Sequence, residues 1–390
     1  MRERNRPLPG SGEFEPAGGN DPLLGRLREL ELLPPKTLKL MVTGRCNLSC
    51  RHCWPACGPN GPADVPLADL QRVLEAFVAV GGEAVCLTGG EPLVREDWRL
   101  LVSAAGALPG LRHVEFQSNG VLLDEPAVEF LCGYAPSRLE VQLSLDGARE
   151  ETNDRIRGLG TFRTTLAALE RFRARGEGRR VVLAMTETGW NFREIPELLR
   201  LAEEWGVRAV QTGTLVARGR GSGAAAPGPP TPEQVTWLLE RWEHDPEFRA
   251  RYERLGSVAA IEWAKWRDRP RSHYCTFIEN LFVDAAGNLY PCTMYDHPEA
   301  AVPGVFSRPL GEAILEGAPF WSRLREQSRL RLETPGPCAE CAGWRHCRGG
   351  CFGRRAAPGS GEPGREDRCG IRRAVYGQPA SGTAGSGANP

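Results

Sequence analysis

The sequence predicts an α/β protein: a partial (β/α)6 barrel followed by a cysteine-rich C-terminal domain. Three observations predict it. Short β-branched or apolar runs alternate six times with longer helix-like stretches between residues 37 and 213. Polar motifs stand at the C-terminal ends of the first four runs. Thirteen cysteines gather in two blocks, four within 46–57 and seven within 275–369, with only Cys86 and Cys132 between.

Residues 1–36 read as an N-terminal tail, Pro- and Gly-rich at first. A short helical pattern follows at Leu23, Leu24, Leu27 and Leu30, and Pro34-Pro35 stops it. The strand runs are 37–43 (TLKLMVT), 83–88 (EAVCLT), 112–118 (RHVEFQS), 138–145 (RLEVQLSL), 180–187 (RVVLAMTE) and 207–213 (VRAVQTG). Helical patterns such as 66–80, 161–176 and 194–205 separate them. Strands joined by helical crossovers pair in parallel, so residues 37–220 should form a curved, TIM-like sheet. In such folds chemistry collects in the loops after the strands' C-terminal ends. CNLSC, TGGEP, SNG and SLDG all lie there. The stretch 218–230 (RGRGSGAAAPGPP) reads as linker, and 221–270 continues into a helical segment. Its Trp237, Trp242, Trp263 and Trp266 have the spacing of a helix packing face rather than of a substrate surface. The cysteine-rich domain spans 271–370, and 371–390 reads as a disordered tail.

Composition narrows the function classes. Apolar residues make up 41% and charged ones 25%, as in a globular protein. Lys plus Arg equals Asp plus Glu at 49 each, so no net field points to nucleic acid or an anionic membrane. The basic run Arg171–Arg180 reads as solvated helix ends. No apolar run approaches the roughly 20 residues that span a bilayer. The N-terminus MRERNRPLPG lacks the apolar core of an export signal, so the expected compartment is the cytoplasm. In a reducing compartment, clustered cysteines mean metal or redox chemistry.

Cys46-x-x-x-Cys50-x-x-Cys53 sits on the loop leaving the first strand. Three thiolates this close can wrap one face of a cubane cluster and leave its fourth iron open. The alternative is zinc, with His52 or Cys57 as a fourth ligand. CNLSCRHC resembles the CxxxCxxC signature of the radical S-adenosylmethionine (SAM) superfamily, and Thr88-Gly89-Gly90-Glu91-Pro92 resembles its GGEP motif one strand later. The resemblance implies a 4Fe–4S cluster on Cys46, Cys50 and Cys53, with His52 near the adenine. It implies that Gly89 and Gly90 let the backbone approach the methionine amino group, with Glu91 and Pro92 completing that turn and Glu91 a further acceptor for the ammonium. Ser144-Leu145-Asp146-Gly147 and Asp154-Arg155-Ile156-Arg157-Gly158 resemble the SxDG and DxxRG segments. There Ser144 and Arg157 would hold the methionine carboxylate, and Asp146 would shape the ribose site. Asn153 replaces the usual His before Asp154. Ser118-Asn119-Gly120 is either a ribose contact or a plain turn. Gly213–Arg220 resembles the end of the family's barrel, so the likeness covers residues 37–220.

In the C-terminal block, Cys275 is followed by eleven residues, Gly287, four residues and Cys292. Then come Cys338-x-x-Cys341, five residues, Cys347, three residues, Cys351, and finally Cys369. Seven thiolates exceed one site, and buried core cysteines do not cluster between Gly and Pro. Zinc ribbons are the structural alternative. The order resembles the SPASM extension of radical SAM enzymes, which implies two auxiliary 4Fe–4S clusters and so three in all. Crossing ligation assigns Cys338, Cys341, Cys347 and Cys369 to one. It assigns Cys275, Cys292 and Cys351 to the other, whose fourth position is open or taken by His273 or a substrate group. Cys86 and Cys132 read as core residues, and Cys57 as a non-ligand.

The resemblance implies reductive cleavage of SAM to a 5′-deoxyadenosyl radical and oxidative modification of a ribosomally made peptide or protein. The anaerobic sulfatase-maturing branch fits less well, because Thr293 stands where that branch carries a catalytic Asp. Partners so implied are the peptide substrate, an external flavodoxin- or ferredoxin-like donor and a separate leader-binding protein, since residues 1–36 are too short for a fused winged helix. Nucleic acid and membrane are not expected partners. The alternatives are action on a small molecule such as a tetrapyrrole side chain, or a non-catalytic electron carrier or zinc scaffold. Neither carrier nor scaffold needs GGEP and SxDG.

Overall fold

The computed structural model describes residues 22–135, 137–267, 269–270, 274–355 and 365–377. Nine strands form one sheet: β1 Thr37–Thr43, β2 Ala84–Gly89, β3 His113–Ser118, β4 Leu139–Ser144, β5 Val181–Glu187, β6 Ala209–Thr214, β7 Gly256–Ser257, β8 Asn280–Val283 and β9 Leu289–Tyr290. The order is β7-β6-β5-β4-β3-β2-β1-β8-β9. All pairings are parallel except the β8–β9 hairpin. The two ends do not meet, so the sheet is an open, partial barrel. The six expected runs coincide with β1–β6 to within two residues at each end.

Each strand buries one row against the helices and turns the other inward. In β1, Leu38, Leu40 and Val42 face the helical layer, while Lys39 and Met41 line the barrel's cavity. Helix Leu67–Ala79 covers that layer with Leu70, Val73, Leu74 and Phe77, and helix Ile195–Glu204 with Leu198, Leu199 and Ala202. Each such side chain contributes about 1.5–3 kcal/mol on burial.

The cysteine-rich domain shares the barrel's own sheet: β8 extends it beside β1, in register from Thr37↔Asn280 to Leu40↔Val283. The N–H groups of Lys36 and Thr37 both donate to the Glu279 carbonyl at 2.9 Å and pin that register. A four-residue strand carries too little alternation to be read from sequence. The stretch 218–222 is not free linker: a Cβ on Gly219 would meet the Trp54 carbonyl oxygen at 2.3 Å, so it lies against the first cysteine loop. Ile371–Tyr376, expected in the disordered tail, belong to helix Cys369–Tyr376, whose Ile371 and Val375 are buried. That helix packs on helices Pro232–His244 and Ala259–Lys265. Trp237, Trp242 and Trp263 pack against the core, while Trp266 is exposed. Among the described residues no helix is long and apolar enough to cross a membrane.

Candidate active site

The loop after β1 presents Cys46, Cys50 and Cys53 to a cavity of about 540 Å³ inside the barrel mouth. The loop is tied on every side. Cys46 N–H donates to the Gly58 carbonyl (3.0 Å), Arg51 N–H to the Ile156 carbonyl (2.9 Å), and the Cys50 thiol to the Arg157 carbonyl (3.8 Å). Arg220 acts as a clamp, its Nε donating to the Cys50 carbonyl (2.8 Å) and its Nη2 to the Cys57 carbonyl (2.7 Å). Gly90 shows why β2 must end in glycines: a Cβ there would meet the Arg45 carbonyl oxygen at 2.0 Å and the Cys46 Cβ at 2.9 Å. The room is taken by the cysteine loop's own backbone, a different reason from the expected approach of a ligand.

Donors already point at the sulfurs. Leu48 N–H lies 3.4 Å and Asn119 Nδ2 3.8 Å from Cys46 Sγ. Burial pushes the Cys46 thiol up to about 11 and raises Cys50 as well, so their thiolates need a compensating cation. Cys57 donates to Cys53 and lowers it to about 6, while its own thiol is pushed up. Among the described residues no three His, Cys, Asp or Glu side chains converge on a single metal ion. Three thiols sharing one cavity wall, with amide donors aimed at sulfur, fit a multi-iron cluster whose irons each take one.

Of the expected SAM contacts, His52, Gly89, Gly90, Ser118, Asn119, Ser144 and Arg157 line this cavity. Glu91, Pro92 and Asp146 are buried behind its wall. Glu91 accepts from Leu93 N–H (3.2 Å), Ser118 Oγ (3.0 Å) and Asn119 N–H (2.7 Å), so it pins the β3 turn to the β2 turn. Pro92 opens the short 3-10 turn Pro92–Val94 that Glu91 caps. Asp146 holds Arg157 Nε at 2.6 Å and His52 Nε2 at 3.0 Å, and accepts from Thr186 N–H (2.7 Å). It positions the two side chains that face the cavity. Among the described residues the buried His52 Nδ1 has no hydrogen-bond partner. Asn153 fixes the same turn, its Oδ1 accepting from Asp146 N–H (3.0 Å) and its Nδ2 reaching Thr161 Oγ1 (2.9 Å).

Sequence reasoning assigned no role to Arg220, though the Gly-Arg-Gly run around it marked a close approach of backbones. It also missed the strand-borne interior residues Lys39, Gln117, Gln142 and Gln211, which carry no motif. The lining includes Lys39, Arg157, Arg220, Arg354 and Arg368, and among the described residues no Asp or Glu.

The C-terminal cysteines lie in two neighbourhoods. Cys338, Cys341, Cys347 and Cys369 line one small cavity with Trp344 and Arg372. Cys292 is pushed up to about 12, chiefly by burial and secondarily by the neighbouring Cys351 and Cys275. Cys351 also lines the central cavity. Glu366 stands between the groups, accepting from Cys351 N–H (2.7 Å) and pairing with Arg368 (3.0 Å) and Arg372. Gly350, at φ +72°, leaves room for that carboxylate. Arg354 ties the region to the barrel, bonding Asp367 (2.7 Å) and the Thr214 (3.2 Å) and Leu215 carbonyls. His273 lies outside the described residues. Cys86 donates to Glu115 Oε1 (3.5 Å) in the barrel interior, and Cys132 packs against the core.

Residues 40–202 match the Radical SAM superfamily. The mycofactocin maturase MftC of Mycobacterium ulcerans is 28% identical over 355 residues, covering 89% of this chain and 90% of that protein. The AdoMet-dependent heme synthase of Methanosarcina barkeri is 27% identical over 83% of this chain and 93% of its own length. Streptococcus suis SuiB, solved bound to its precursor peptide SuiA, shares the fold with a TM-score of 0.70 at 17% identity, over 94% of this chain and 84% of that one.

Proposed function

Residues 40–202 are a radical SAM domain, and from that premise we propose that the protein is a maturase that oxidatively modifies a ribosomally made peptide. One observation carries the reading: a single cavity is lined by Cys46, Cys50 and Cys53 together with Cys351. When bound, the cluster and SAM supply a 5′-deoxyadenosyl radical that removes a hydrogen atom from the substrate. Cys46, Cys50 and Cys53 would hold the cluster. Asn119 and the Leu48 amide stabilise sulfur charge, and Arg220 keeps the loop in place. Arg157 and Ser144 would bind the methionine carboxylate, and His52 would offer Nδ1 toward the adenine. Asp146 keeps Arg157 and His52 aimed, and Glu91 holds the two turns that floor the pocket.

Cys275, Cys292 and Cys351 would carry an auxiliary cluster facing the substrate, and Cys338, Cys341, Cys347 and Cys369 a second, more remote one. An external flavodoxin- or ferredoxin-like protein would deliver the initiating electron, and a separate leader-binding protein would present the peptide. No disulfide joins any of the thirteen cysteines, which suits a reducing, cytoplasmic setting.

The maturase relative supports a peptide substrate, and the heme synthase relative, at nearly the same identity, supports the tetrapyrrole alternative. The test is anaerobic incubation of the reconstituted protein, SAM and reductant with a short peptide encoded beside its gene, read by mass spectrometry. Loss of hydrogen atoms from the peptide, one 5′-deoxyadenosine per event, is expected. An unchanged peptide together with conversion of an iron tetrapyrrole would replace this reading with the second.

A further inference from the structure

We propose that Glu366 is a positioning residue that poises the two auxiliary clusters together. It holds Arg368 against the Cys351 neighbourhood and Arg372 against that of Cys338, Cys341, Cys347 and Cys369. The proposal rests on the reading above, which puts one cluster in each neighbourhood.

The chain itself brings the two close. Only three residues separate Cys347 from Cys351, and Gly350 N–H donates to the Cys347 carbonyl (3.0 Å). Gly350 takes φ +72°, and a Cβ there would meet the Glu366 carboxyl carbon at 2.2 Å. The short tether is thus wrapped directly over that carboxylate. Glu366 is 3% exposed. It accepts from Cys351 N–H (2.7 Å), pairs with Arg368 (3.0 Å) and accepts from Arg372 Nε.

From Glu366 the two arginines part. Arg368 lines the central cavity with Cys351, which acts on it electrostatically. Arg372 lines the small cavity of the other four cysteines, where Cys347 acts on it in the same way. Trp263 braces both: the guanidinium carbons of Arg372 and Arg368 lie 3.9 Å and 5.2 Å from the centre of its ring. Among the described residues the buried Arg368 Nε has no hydrogen-bond partner, which leaves a donor for a sulfur acceptor. Met294 N–H already donates to Cys292 Sγ (3.4 Å). Both features suit anionic sulfur.

A buried carboxylate between two arginines adds little stability that apolar residues could not supply. What it does supply is a fixed pattern of charge. Reduction of a cluster by one electron adds a negative charge, so a cation fixed beside it raises the reduction potential and an anion lowers it. Arg368 and Arg372 therefore each favour reduction of one cluster, and Glu366 tempers both. Other charges stand nearby: Arg354 pairs with Asp367 (2.7 Å), and Arg365 and Arg373 also line the small cavity. They are common to every variant below, so the sign of each shift follows from the charge removed.

The test is potentiometric titration of the reconstituted full chain with dithionite, followed by electron paramagnetic resonance. The Cys275→Ala/Cys292→Ala/Cys351→Ala variant assigns the auxiliary signals. Glu366→Gln should raise both auxiliary potentials. Arg368→Gln should lower chiefly that of the Cys351 neighbourhood, and Arg372→Gln chiefly the other. Each shift should reach about tenfold in the reduction equilibrium, ~59 mV for one electron. Arg368→Lys and Arg372→Lys keep the charge and should restore most of it. Unshifted potentials in variants that keep their iron overturn the proposal, as do shifts that lysine fails to reverse. Loss of auxiliary iron or of the circular dichroism of the fold in these variants would make Glu366 and its arginines assembly residues and overturn it too. A wild type holding fewer than two auxiliary clusters would instead bring down the reading on which the proposal rests.

Discussion

Glu91 and Asp146 are fully buried carboxyl groups in one wall of the same cavity, yet burial governs only one of them. For Glu91 desolvation prevails over three hydrogen bonds and pushes the group up to about 7. For Asp146 desolvation also acts upward, but the Arg157 guanidinium and His52 outweigh it and hold the carboxyl well below its ordinary range. The two therefore set opposite pH behaviour. Glu91 binds more protons folded than unfolded between its ordinary 4.5 and about 7, so stability should decline as pH rises through that window. Glu91→Gln should flatten the decline, as melting curves of the cluster-free protein from about pH 5 to about pH 8 would reveal. Parallel curves would mean that Glu91 is ionised throughout. The Asp146 contribution is complete above its ordinary value of 3.8 and fades only as pH falls below it. Asp146→Asn should accordingly cost about the same at every pH in that range, on the order of 3–5 kcal/mol for a broken buried pair. SAM binding measured by calorimetry should weaken as Arg157 and His52 lose their anchor. Unaltered affinity would remove Asp146 from the pocket's support.

The elements that make the site are the ends of the six strands β1 to β6, brought together because parallel strands all finish on one side of the sheet. Gly90→Ala tests how tightly two of those ends pack. A methyl aimed at the Arg45 carbonyl should displace the cysteine loop and lower iron by roughly four atoms per chain, with the other clusters retained. Full iron in that variant would show that the loop has slack. Much of this was legible in the sequence. The β1–β6 runs carry enough β-branched and apolar residues to announce themselves, and CNLSC, GGEP and SLDG sit where a parallel sheet puts its loops. What was illegible depended on close approach in three dimensions. Arg220 clamps the cysteine loop from 170 positions away. Asp146 looked like a ligand contact because sequence marks its place but not its burial. β8 and β9 were too short to show a period, so the sharing of one sheet by both domains appeared only in the fold.

At the scale of the whole molecule, one cavity joins the first cysteine loop to Cys351, and Arg354, Arg218–Asp296 and the β1–β8 pairing hold the two regions together. This arrangement divides labour. Replacing Cys275, Cys292 and Cys351 with Ala should leave SAM cleavage running without product, because Arg157 and His52 are held by Asp146 and not by those cysteines. Circular dichroism and residual iron must first establish that the variant is folded, since a cluster also braces its loops. Full conversion of substrate by a folded variant would reduce that cluster to a structural role. The most direct test of the central claim lies at the other end of the cavity. The reconstituted wild type and a Cys46→Ala/Cys50→Ala/Cys53→Ala variant would be given SAM and dithionite, and 5′-deoxyadenosine and iron would be counted. The wild type should form 5′-deoxyadenosine with about twelve irons per chain, and the variant should form none while keeping about eight. Cleavage surviving in the folded variant, or a wild type loaded with stoichiometric zinc and no iron, would contradict it.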